Sequence, residues 1–130
     1  MIRRFIDPQS RFIWIDDAAA APRGVIGFDY DGARFSHVGA RVSFEVLCVS
    51  FGLAQDERLQ AIAALVHFLD VGGIPVPQAA GLEAVLGGLR EMHAEDDELL
   101  RAASAVFDAL YAVRSTARGA EKTAEKGAEE

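Results

Sequence analysis

An α+β fold, with a small antiparallel sheet of about three strands packed on about four helices, is the architecture this sequence predicts. Two observations carry that prediction. Short runs of β-branched and aromatic residues fill residues 11–37, and from Ser43 onward the apolar residues switch to helical spacing. At 130 residues and 51% hydrophobic, the chain is long and apolar enough for one cored domain. That domain is expected over residues 1–115, with a disordered charged tail over 116–130.

Residues 1–7 read as the last turns of a helix that Asp7-Pro8 ends, because proline disfavours the α conformation in the residue before it. Arg11–Ile15 reads as a strand, and the alanine-rich stretch to Gly24 has room for one helical turn. Val25–Tyr30 is a second strand, Asp31-Gly32 a hairpin turn, and Ala33–His37 the returning strand. Ser43 is a plausible N-cap for a helix carrying Phe44, Leu47, Cys48 and Phe51, stopped at Gly52. A longer helix starts near Asp56 with Leu59, Ile62, Ala63, Val66 and Leu69 on one stripe. Gly72–Pro77 is a loop.

A third helix from about Gln78 would bury Leu82, Val85, Leu86, Leu89 and Met92. Gly81, Gly87 and Gly88 either weaken it, by about 1 kcal/mol each, or let a neighbouring helix approach closely. The last helix opens on Glu95-Asp96-Asp97-Glu98, read as acids at a positive helix end, with its core face at Leu99, Leu100, Ala103, Val106, Phe107, Leu110 and Tyr111. Ala117–Glu130 has no large apolar residue to offset the entropy of ordering it.

A net charge of −7 argues against direct nucleic-acid binding, which needs clustered Lys and Arg. No run of about 18 apolar residues is present, so no membrane association is expected. Asp7-Pro8 interrupts any signal-peptide core, and the default compartment is the cytoplasm. Cys48, the single cysteine, excludes an internal disulfide and reads as a buried, inert thiol on an apolar face. Homo-oligomerisation is left open.

His67 and Asp70 lie three apart on one helix and so share a face. Such a pair can supply two metal ligands, or an imidazole with its orienting carboxylate; it can also be an ordinary helix-end pair. His37 would reach His67 only if the sheet packs over that helix, and is otherwise an exposed edge histidine. Glu45 falls where a capping-box carboxylate belongs, and His93 where a helix ends. No phosphate loop, dinucleotide fingerprint or catalytic triad can be placed, so these residues do not establish catalysis.

Several segments taken together resemble one family. Ile2-Arg3-Arg4-Phe5-Ile6-Asp7-Pro8, His37–Glu45, Val66-His67-Phe68-Leu69-Asp70, Pro77–Ala84 and Phe107–Ala112 are similar, in that order, to the C-terminal domain of the bacterial chromate-resistance protein ChrB. The resemblance covers roughly residues 2–113 and implies a sensing or accessory role in chromate or oxyanion stress. Members usually carry a longer N-terminal lead with a Cys-Pro-Trp-Leu-like segment. Val42 stands where they have cysteine, Gln78 where an acid often follows the loop proline, and Asp97 where some have histidine.

The leading expectation is therefore a ligand- or metal-binding domain linked to chromate resistance. His37, His67, Asp70 and Glu45 would be its metal ligands, a divalent metal ion its cofactor, and Arg41 its contact to chromate or another small oxyanion. The alternatives are a metal-dependent or reductive enzyme acting on an oxyanion, and a truncated copy without a working site.

Overall fold

Helical spacing governs everything after Val42. The computed structural model describes residues 1–113. Within them α1 (Ser43–Ser50), α2 (Glu57–Val71), α3 (Ala79–Met92) and α4 (Asp96–Ala112) follow one another. Each has a local reason to begin or end. Asp56 caps α2, its carboxylate accepting from the amides of Arg58 and Leu59 at 2.9 and 3.1 Å. Gly72 ends that helix at φ 80°, a conformation that costs glycine little. Asp96, Asp97 and Glu98 occupy the first turn of α4, where the helix dipole favours acids, and His93 is the C-cap of α3.

The core forms where these helices meet. Leu65, Ala79 and Leu82 are its buried centre, with Phe68, Leu86, Val106, Phe107 and Leu110 packed around them. Val42 and Leu59, each 1% exposed, seal α1 against α2, and burying a side chain such as Leu59 stabilises by about 1.5–3 kcal/mol. Leu59 and Ile62 of the predicted α2 stripe are buried as expected; Leu65, outside that stripe, is buried too. On α3, Leu82 is buried, but Val85 and Met92 face solvent.

The expected sheet does not form, and the fold is helical rather than α+β. Among the described residues there is no β-strand, only isolated bridges at Phe28–Phe35 and Val38–Arg41. β-Propensity expresses itself only when a partner strand and a half-buried face are available. Here Ile13, Trp14 and Ile26 are all more than half exposed. Asp29 turns the chain at φ 62°, which ends any ladder in the second run. The reverse turn at Asp31-Gly32 survives, closed by the Ala33 amide on the Tyr30 carbonyl at 3.0 Å. Ala18–Ala20 forms the single helical turn anticipated there, with Asp17 as its cap. The tail expected at 116–130 lies outside the described residues. No described helix is long and apolar enough to cross a membrane.

Ile2–Ile6 forms one wide helical turn and docks on α4. Arg4 pairs with Asp108 at 2.6 Å and lies over the Tyr111 ring at 4.4 Å, while Phe5 meets that ring edge-on at 5.0 Å. The Tyr111 hydroxyl donates to Asp56 at 2.7 Å, so one tyrosine joins the first turn, the cap of α2 and the end of α4.

That hydrogen bond is the main cause holding the Asp56 carboxyl below its usual pKa, and it raises the Tyr111 hydroxyl. A carboxyl lowered on folding contributes stability above its unfolded pKa of about 4 and loses it as pH falls through the folded value. Asp56→Asn keeps the cap but removes the titration. Thermal melts should find the variant less stable at about pH 7, with the gap closing below the folded Asp56 pKa. A Cβ on Gly81, Gly87 or Gly88 would meet nothing within 4 Å, so close helix approach is not what these glycines provide. Gly88→Ala should therefore stabilise the protein by about 0.5–1 kcal/mol in urea titrations.

Candidate functional site

The segment before α1 is shaped by short backbone contacts. The Asp29 amide bonds to the Phe35 carbonyl at 2.8 Å, and Val38 and Arg41 exchange bonds of 2.9 and 3.0 Å around Gly39. This irregular segment, rather than a sheet, carries His37 to the start of α1. There the Ser43 amide donates to Nδ1 of His37 at 3.3 Å, and the Ser43 hydroxyl lies 2.9 Å from the same nitrogen. With Nδ1 accepting, neutral His37 carries its proton on Nε2. That nitrogen faces Asp70 at 3.9 Å, while Asp29 approaches Nδ1 at 4.0 Å.

The second pair is tighter. Oε1 of Glu45 accepts from the Val42 amide at 3.1 Å and lies 2.5 Å from Nδ1 of His67. Glu45 thus fills the capping role expected of it and grips α2 at the same time. Because Nδ1–H points to the carboxylate, neutral His67 keeps its lone pair on Nε2. Side-chain exposures of 28% for Glu45 and 31% for His67, against 45% for His37 and 47% for Asp70, make this the more enclosed pair.

His67 and Asp70 therefore share a face of α2 but reach different partners. All four residues stand in two adjoining imidazole–carboxylate pairs. Among the described residues, however, no group of three or more His, Cys, Asp and Glu could hold a metal ion, so the ligand set expected from the sequence is not assembled. The 2.5 Å contact is a hydrogen bond. Two ligands at about 2.0 Å on one tetrahedral ion would stand roughly 3.3 Å apart.

Arg41 is exposed and lines a cleft of about 110 Å³ with Glu45, Cys48 and Gln60. Cys48 is 5% exposed, and burial, reinforced by Asp56 and Glu45, pushes its thiol pKa up. A thiol held protonated is a poor nucleophile, in keeping with the inert role expected of it.

Sequence reasoning missed two members of the cluster. Ser43, read as an N-cap, is the first helical residue, 4% exposed, and holds His37; Val42 is the cap position. Asp29 was hidden inside an assigned strand. The signal for it was the local run Phe28-Asp29-Tyr30-Asp31-Gly32, since aspartate is among the few side chains that tolerate positive φ.

The sequence model of the family described as ChrB, C-terminal domain, matches residues 1–114. The chain belongs to this family. A ChrB protein from Cupriavidus metallidurans is 51% identical over 118 residues, which are 91% of this chain and 36% of that protein. The chain thus spans about a third of the length of its ChrB relative. No solved structure matches. The ChrB-like motifs at the two ends of the domain meet in space, through Arg4–Asp108 and Phe5–Tyr111. The motifs at 37–45 and 66–70 build the two pairs of the site.

Glu45 satisfies both an amide and an imidazole, whereas His67 satisfies only Glu45. Glu45→Ala should cost about 2 kcal/mol in urea unfolding and His67→Ala about 1. In the double variant the His67 change should add little once Glu45 is gone.

Proposed function

We propose that this chain is an ion-responsive binding domain with a sensing or accessory role in chromate resistance. The chromate part is supported by membership of the ChrB family and by the motif resemblance. One observation supports the binding part: His37, Glu45, His67 and Asp70, drawn from three separate segments, form adjoining imidazole–carboxylate pairs. Residues needed only for packing have no reason to bring two titratable pairs together at a half-exposed surface.

The charge balance ranks the ligands. Asp29, Glu45 and Asp70 outnumber the two imidazoles, so the cluster repels an anion while its histidines are neutral. A divalent cation would instead have to assemble its own site, drawing on the free Nε2 of His67 with Glu45 as the carboxylate orienting that ring. Chromate or another small oxyanion is better served by Arg41, whose guanidinium is a planar donor fork at the neighbouring cleft.

Imidazole resonances of His37 and His67, followed by NMR during separate titrations with zinc and with chromate, test this reading. Zinc should shift both histidines in the wild type, with the response lost in His67→Ala. Chromate should perturb the Arg41 cleft and lose its effect in Arg41→Ala. Spectra unmoved by either ion, with the helical amides intact, would end the proposal.

A further inference from the structure

A different part of the molecule carries an inference independent of the chromate reading. Between the N-terminal turn, the irregular segment after Asp7 and the start of α1 lies a trough of about 720 Å³, within the range of small-molecule sites. Ile6, Phe12, Ile15, Val25, Leu47 and Phe51 line it. Phe12 and Phe28 meet edge-to-face at 6.1 Å on its wall. The hydroxyl of Ser10, also in the lining, is buried and has no hydrogen-bond partner among the described residues. Buried hydroxyls are almost always paired, so an unpaired one in an apolar wall asks for a partner from a ligand.

We propose that this trough binds a small, planar, largely apolar molecule carrying one hydrogen-bonding group, which pairs with Ser10. Asp16 and Asp17 also line it, so the ligand is neutral or cationic, and a tetrahedral oxyanion such as chromate is excluded. The far wall includes Asp29, whose carboxylate stands 4.0 Å from His37. Occupancy of the trough therefore bears directly on the His37–Asp70 pair. The two sites are adjacent, yet each is recognised by different chemistry.

The test uses 1-naphthol and naphthalene as paired probes, titrated into the full chain and followed by backbone amide NMR. Both should give saturable shifts confined to the trough walls. Ser10→Ala should weaken 1-naphthol by about fivefold and leave naphthalene unchanged. Ile26→Asp, at a lining position 60% exposed and so tolerant of charge, should weaken both by about tenfold. Ala21→Phe, which fills part of the trough, should do the same. No saturable shift, shifts scattered over all four helices, or equal effects of Ser10→Ala on the two probes would overturn the site. So would a dimer that buries this face and is dispersed by Ile26→Asp.

Discussion

One oxygen of Glu45 has two obligations. It accepts the Val42 amide that would otherwise be unpaired at the start of α1, and it holds the imidazole of His67 in the middle of α2. A carboxylate in that position sets both the rotation of α1 and its distance from α2. Val42 and Leu59 are buried in the seam that results. With α1 fixed, Ser43 offers its amide and hydroxyl to His37, and the loop from Asp29 to Val42 lies over the C-terminal half of α2. The candidate site is thus assembled outward from a helix start, through backbone donors as much as through side chains.

Placement near the end of α2 explains why Asp70 and His37 belong together. A carboxylate in the last turn of a helix meets the negative end of the dipole and is disfavoured there. An imidazole opposite it relieves that cost whenever it carries a proton. The pair is half exposed and 3.9 Å apart, so its contribution to stability is small. Its meaning is electrostatic: the loop is held most firmly to α2 when His37 is charged.

The helical half was legible in the sequence because its signals are local. Asp56 before an apolar-periodic run, Gly72 after it and the acids at 95–98 each act within one turn, and each is found in its role. The sheet was not legible because strands need partners that no local pattern specifies. Arg11–Ile15 has every residue type a strand favours, yet Ile13 and Trp14 stay half exposed. For the site, residue choice and location were readable while connectivity was not. His67 and Asp70 share a face as their spacing requires, but their partners lie on other segments. Ser43 and Asp29 joined the cluster through a buried hydroxyl and a left-handed backbone turn, neither of which has a spacing signature.

The docking of the first turn on α4 bears on how the protein is made. Arg4 and Asp108 are 104 residues apart in the chain, and Phe5 depends on Tyr111, farther along still. On a ribosome adding about 5–20 residues per second, the opening segment emerges roughly 5–20 s before the helix that will cover it. During that interval Ile2, Phe5 and Ile6 are apolar side chains without their α4 partner. The first residues synthesised are thus among the last to find their place, and birth order runs opposite to the order of assembly.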